Sequence, residues 1–107
     1  MKELENIPFK LGMHYEHWEF ELDSKEDLNE LERYKYIGDG FKFLFGLEIA
    51  EIYLYFSLDI LQEIEIFFCS SYPMNITLNL LLELKNITLA KDVILRYKKD
   101  RFCILVQ

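Results

Sequence analysis

The sequence predicts an α+β domain, in which an antiparallel β-sheet carries one main helix packed on a face, plus a short N-terminal helix. Two observations lead to this prediction. Apolar and polar side chains alternate in residues 51–57 and 62–68, as they do in strands with one buried face. Apolar side chains also recur at helical spacing between Thr77 and Ile87. A sheet and a helix of this kind bury their apolar surfaces when the helix lies on the sheet.

The N-terminal part is predicted to contain a strand and then the short helix. The strand covers residues 13–22, whose alternation places three apolar side chains on one face. Ser24 is followed three positions later by Asp27, the pattern of a capping box at a helix N-terminus. We therefore expect a short helix from Ser24 to about Tyr34. A turn at residues 37–40 then leads to a short strand over 41–45.

Residues 51–57 and 62–68 are predicted to pair as a hairpin with all their aliphatic side chains on one face, since a slip of one residue would turn them outward. This requirement leaves a loop of Asp59–Leu61, which contains no glycine. The expected cross-strand pairs are Phe56 with Ile64, Leu54 with Ile66, and Ile52 with Phe68.

The C-terminal part is predicted to hold the main helix and a second hairpin. Pro73 or Asn75 opens the helix, which runs to about Leu89. The alternating runs 93–97 and 102–106 then form the terminal hairpin. The predicted core comprises Trp18, Phe20, Ile52, Leu54, Phe56, Ile64, Ile66, Leu81 and Leu84.

Composition and charge indicate which kind of partner the chain is suited to bind. The chain has 107 residues, one domain by length, and it is 51% hydrophobic, so it has material for a core. Its net charge is −7, and between His14 and Glu32 eight acidic residues stand against the single base Lys25. An acidic chain is poorly suited to nucleic acid, because phosphate contacts supply most of that affinity. It is better suited to a basic protein partner.

The expected location is the cytoplasm, without membrane insertion. No apolar run approaches the roughly 18 residues that cross a bilayer, and the N-terminal MKELENIPFK is charged where a signal peptide would be apolar. Cys69 and Cys103 lie in apolar runs, where free cysteines usually behave as small hydrophobes. A disulfide between them would be disfavoured in the cytosol.

The sequence offers no catalytic, metal or cofactor site, so the protein is not expected to be an enzyme. His14 and His17 are the closest approach to a metal cluster, but their odd spacing sends them to opposite faces of a strand. Neither cysteine is next to a helix N-terminus that would activate it. The glycines at 38 and 40 lack the lysine and helix of a phosphate-binding loop.

Two surfaces are candidates for binding a protein partner. One is the outward face of the central hairpin, where aromatic side chains stand among acids as they do in interfaces. Its predicted contacts are Tyr53, Tyr55, Glu65 and Phe67. The other is the acidic stretch of the predicted short helix, whose predicted contacts are Glu26, Asp27 and Glu30.

Two segments carry a family resemblance: LGMHYEHWEFEL, residues 11–22, and YLYFSLDILQEIEI, residues 53–66. They resemble segments of the small acidic immunity proteins of bacterial polymorphic toxin and contact-dependent inhibition systems. The resemblance implies a cytoplasmic inhibitor that binds a toxin domain stoichiometrically. It identifies no site residues, because no shared motif fixes them.

The predicted function is therefore a protein-binding inhibitor, an immunity protein that neutralises a toxin domain with a basic surface. A carboxylate-rich surface can occupy a cleft built for phosphate, and complementary charge speeds capture. The alternative is an accessory or structural protein-interaction domain, including a homodimer formed through the aromatic face. A small hydrolase is a third hypothesis, since clustered acids do not exclude it.

Overall fold

The computed structural model describes residues 9–38, 41–44, 47–69, 92–98 and 101–107. These residues form a seven-stranded antiparallel sheet with the strand order β1-β2-β4-β5-β7-β6, and β3 pairs with β4. The strands are β1 (Leu22–Leu28), β2 (Leu31–Tyr36), β3 (Phe43–Leu44), β4 (Leu47–Ser57), β5 (Ile60–Phe68), β6 (Val93–Lys98) and β7 (Arg101–Val106).

The predicted α+β class is wrong. The described residues contain no helix of seven or more residues and no main helix packed on the sheet. Their helical elements are two 3-10 turns, Tyr15–His17 and Glu19–Glu21. The segment from Asn75 to about Leu89, to which the main helix was assigned, lies outside the described residues, as do Leu81 and Leu84 of the predicted core.

The short N-terminal helix is replaced by a hairpin of β1 and β2. Asn29 has φ 54°, a left-handed conformation that asparagine tolerates better than most residues, and it turns the chain between Leu28 and Leu31. β2 pairs on its other side with β4, which adds ladder hydrogen bonds and burial. These long-range contacts outweigh a local capping pattern.

The first predicted strand is also absent. Residues 15–21 form the two 3-10 turns, and His14 makes only an isolated bridge to Ile60. The turns release the side chains from strict alternation. Trp18 still packs against the core, whereas Phe20 is 91% exposed.

The central hairpin of β4 and β5 has the predicted faces and a different register. Leu54 lies opposite Ile64 and Ile52 opposite Ile66, a shift of two residues from the prediction. A shift of two keeps every side chain on its face. The turn consists of Leu58 and Asp59, and the ladder shifts again beyond Tyr55. The terminal hairpin of β6 and β7 is confirmed.

The core lies on one face of the sheet. Five of the predicted members are buried there: Ile52, Leu54, Phe56, Ile64 and Ile66. The chain before β1 covers this face, since Phe9 is fully buried and packs 5.0 Å from the ring of Trp18 and 4.9 Å from that of Tyr36. Phe68 and Phe102 stack at 5.0 Å farther along the same core.

Candidate protein-binding surface

Most acidic residues of the N-terminal part are exposed, on the 3-10 turns that pack over the core and on the β1–β2 hairpin at the edge of the described sheet. We call this set the acidic edge: Glu16, Glu19, Glu21, Asp23, Glu26, Asp27 and Glu30. Lys25 lies within it and forms ion pairs with Glu32 at 2.7 Å and with Asp27 at 3.6 Å. The hydrogen bond to Glu32 raises the pKa of Lys25. The remaining carboxylates give the edge its negative charge.

The three acidic contacts predicted from the sequence occupy different parts of this edge. Glu26 lies on β1 opposite Arg33, and Asp27 follows it with 78% of its side chain exposed. Glu30 lies in the turn that leads into β2. All three are exposed on a strand and its turn, whereas the sequence predicted a helix.

The four contacts predicted on the central hairpin lie together on the sheet face opposite the core. We call this set the tyrosine cluster: Tyr53, Tyr55, Glu65 and Phe67. The phenol of Tyr55 donates a hydrogen bond to Glu65 Oε1 at 2.9 Å, and the rings of Tyr53 and Phe67 meet edge to face at 5.8 Å. Glu65 and Phe67 are buried, with exposed fractions of 1% and 8%. Only Tyr53 and Tyr55, which are half-buried, present surface to a partner.

Arg33 joins the two candidate surfaces. Its guanidinium lies 3.8 Å above the ring of Tyr53, close enough for a cation–π contact. The same group donates a hydrogen bond to Glu26 Oε2 at 3.1 Å and lies 3.7 Å from Glu65 Oε1. The acidic edge and the tyrosine cluster are therefore one continuous arrangement, with Arg33 between them.

Sequence analysis did not identify Arg33. The sequence pattern that could have identified it is the alternation in Leu31–Tyr36, where Arg33 and Lys35 share one side and the two tyrosines share the other. That alternation predicts a strand. Because a helix was predicted for this segment, its strand pattern was not recognised. The partners of Arg33 come close to it because β2 pairs with β4.

Both tyrosine hydroxyls stay protonated at neutral pH. Burial, together with the hydrogen bond to Glu65, raises the pKa of Tyr55 far above its ordinary value. The hydrogen bond that Tyr53 donates to Glu51 raises the pKa of Tyr53. Each phenol is therefore a fixed donor to a carboxylate. This arrangement ties each tyrosine side chain to a neighbouring carboxylate.

An open cleft of about 790 Å³ lies beside the β1–β2 turn and the β4–β5 turn. Its floor is apolar, with Leu31 and Leu61, and Glu30 and Glu63 contribute carboxylates to its lining. The amide of Gln107 donates a hydrogen bond to Glu63 at 3.0 Å. Among the described residues, those that line the cleft include no basic side chain, so the cleft extends the negative charge of the acidic edge around the turn.

The structure also bears on a metal site, on the two cysteines and on membrane-spanning helices. Among the described residues, no group of three His, Cys, Asp or Glu side chains is placed to hold a metal ion. Cys69 is exposed and Cys103 is buried. The described part of the chain also contains no helix long and apolar enough to span a membrane.

Comparisons of the chain with protein-family models, curated proteins and solved structures give no match.

Proposed function

We propose that this protein binds a basic protein partner through the acidic edge and neutralises it without doing chemistry itself. The partner class that we propose is a toxin domain, and the protein would then act as its immunity protein. The observation that carries the proposal is the exposure of Glu26, Asp27 and Glu30 on one hairpin at the edge of the described sheet. Such an arrangement suits a partner surface that is rich in lysine and arginine.

The ion pair of Arg33 with Glu26 supports this proposal, because it ties the hairpin to the tyrosine cluster on β4. A binding surface that is already ordered loses less conformational entropy on association. Acidic side chains on an edge strand also discourage pairing with other strands. Three of the seven exposed carboxylates, however, lie on the 3-10 turns, outside the edge strand, where that protective role does not account for them.

The test is capture of the partner from the native cell with the immobilised protein, followed by titration of the purified partner. Asp27→Lys with Glu30→Lys should weaken binding at low salt, and the difference should shrink at high salt because exposed charges are screened. Glu26 is kept in this variant so that its ion pair with Arg33 remains. The matched control is Glu48→Lys with Asp92→Lys, which reverses two exposed acids outside the acidic edge.

Neutralisation is measured by growth of cells that produce the captured partner with and without this protein. The proposal expects growth to be restored by the unchanged protein and by the control variant. Capture of no protein partner would overturn it. Equal weakening by both charge reversals would show that net charge, and not the acidic edge, governs binding.

A further inference from the structure

Phe20 is the most exposed aromatic side chain among those whose burial the structure describes, at 91%. It lies in the 3-10 turn Glu19–Glu21, immediately before β1, and both flanking carboxylates are exposed. The alternation of residues 13–22 predicts a buried ring, so its position is a finding of the structure. A single exposed apolar residue is common in proteins and needs further evidence before it means anything.

That evidence is the way the turn is held. Trp18 packs against Phe9 at 5.0 Å, and its carbonyl accepts a hydrogen bond from the backbone N–H of Glu21 at 2.8 Å. The carbonyl of Glu21 in turn accepts one from the N–H of Ile37 at 2.8 Å. These bonds fix the backbone of the turn from both sides, through the core and through the end of β2, and the ring of Phe20 stands on its outer side.

We infer that Phe20 is an apolar anchor of the acidic edge, which inserts into a pocket on the partner that is rimmed by basic side chains. The inference rests on the proposed function and adds the kind of surface that the partner must have. An exposed aromatic ring on an ordered turn, with charged groups on either side, has the composition of an interface hot spot and its rim. The flanking Glu19 and Glu21 require positive charge around the pocket.

Charge also favours a basic protein over a second copy of this chain as the partner that Phe20 contacts. In a two-fold contact between copies of this chain, Glu19 and Glu21 of one copy would approach the same carboxylates of the other, and like charges would oppose the contact. A basic partner meets no such opposition.

The seven residues of β1 separate Phe20 from the β1–β2 turn by roughly 20 Å at the usual rise per strand residue. One partner surface of ordinary size can cover both.

The experiment places a photo-reactive phenylalanine analogue at position 20 in the full chain, within the native cell. Position 94 serves as the control, since Ile94 is 37% exposed and lies on β6, the strand at the opposite edge of the described sheet. We expect position 20 to cross-link to the basic protein that the unchanged chain captures, and position 94 not to do so. The purified partner is then titrated with Phe20→Ala and with Ile94→Ala. Phe20→Ala should weaken affinity at least about 30-fold, the effect of losing a hot-spot side chain, and Ile94→Ala should leave it unchanged.

The outcomes separate this inference from the proposed function. If the unchanged protein captures a partner whose affinity Phe20→Ala leaves intact, the anchor is disproved while the proposed function stands. Cross-links from position 20 to a second copy of this chain would also overturn the inference. If no partner is captured by the unchanged protein, the proposed function fails and takes the anchor with it. Thermal unfolding of Phe20→Ala should match that of the unchanged protein, which excludes misfolding as a cause of lost affinity.

Discussion

The phenol of Tyr55 donates a 2.9 Å hydrogen bond to Glu65, although Tyr55 lies opposite Glu63 in the β4–β5 ladder. The contact is diagonal, across one strand pair and along it by two residues. Glu65 is 1% exposed, so its carboxylate depends on donors within the protein. The Tyr55–Glu65 contact is thus a structural link on the face opposite the core.

Tyr55→Phe should lower the free energy of unfolding by about 1–3 kcal/mol, because it removes one donor from a buried carboxylate. Urea unfolding measures the change. The matched control is Tyr53→Phe, which removes the donor to Glu51, a half-buried acid that water can still reach. We expect a smaller loss from the control. Equal losses would mean that the burial of Glu65 does not decide the cost.

Arg33→Ala should destabilise the protein by about 1–3 kcal/mol, since the guanidinium is a hydrogen-bonding and ionic partner of two carboxylates and stacks on Tyr53. Arg33→Lys keeps the charge and loses the planar stacking, so its loss should be intermediate. Glu26→Gln is the control for the outer ion pair. Glu26 has 54% of its side chain exposed, and exposed pairs contribute about 1 kcal/mol or less. A larger loss from Glu26→Gln than from Arg33→Ala would contradict this account.

The tyrosine hydroxyls should make stability fall in alkaline solution. Burial raises the pKa of Tyr34 as well as that of Tyr55, and the bond to Glu51 raises that of Tyr53. The unfolded chain releases these protons near pH 10, while the folded chain still holds them. The unfolded state then binds fewer protons, so the free energy of unfolding decreases as the pH rises above about 10.

Two measurements check this pH dependence. Ultraviolet titration of tyrosinate should show a fraction of the phenols ionising later than free tyrosine, and Tyr55→Phe should remove part of that late fraction. Urea unfolding at pH values on either side of about 10 should show a shallower decline of stability in the same variant. A late fraction that is unchanged by the substitution would assign the raised pKa to other phenols.

Leu54→Ala should cost about 2–5 kcal/mol, because Leu54 is fully buried and the substitution leaves a cavity. Phe20→Ala removes a larger side chain from solvent and should change stability by about 0.5 kcal/mol or less. Thermal or urea unfolding of the two variants gives the comparison. A large loss from Phe20→Ala would show that its ring packs against the protein in solution.

The faces of the central hairpin could be predicted from the sequence, and its register could not. Period-two alternation fixes which side chains of β4 and β5 share a face. Register depends on the turn, and here Leu58 and Asp59 both adopt positive φ, 51° and 65°. Leucine seldom does so, so the sequence carries no signal for a two-residue turn at this position. The diagonal contact of Tyr55 with Glu65 and the packing of Tyr53 on Phe67 were preserved because the shift is two residues.

The N-terminal part was mispredicted for a related reason. The spacing of Ser24 and Asp27 satisfies a capping box as well as a charged edge strand. The choice between them is made by pairing of β2 with β4, residues that are far apart in sequence. Arg33 and Phe20 were missed with it. The partners of Arg33 come from three strands, and the exposure of Phe20 depends on 3-10 turns that alternation does not reveal.

The β4–β5 turn should be open to stabilisation. Positive φ at both of its residues is the requirement of a type I′ hairpin turn, for which Asn-Gly is the preferred pair. Leu58 gains little from burial, since it is 92% exposed, and a left-handed conformation costs a residue of its kind about 1–2 kcal/mol. Leu58→Asn should therefore raise the free energy of unfolding by about 1 kcal/mol, and adding Asp59→Gly completes the preferred pair.

The matched control is Leu28→Asn, the same chemical change on β1, where the leucine is 37% exposed and φ is not positive. Asparagine is disfavoured in strands, so this variant should lose stability. Urea unfolding of both variants measures the difference in sign. If Leu58→Asn also destabilises the protein, the leucine makes contacts in solution that outweigh the strain of its backbone.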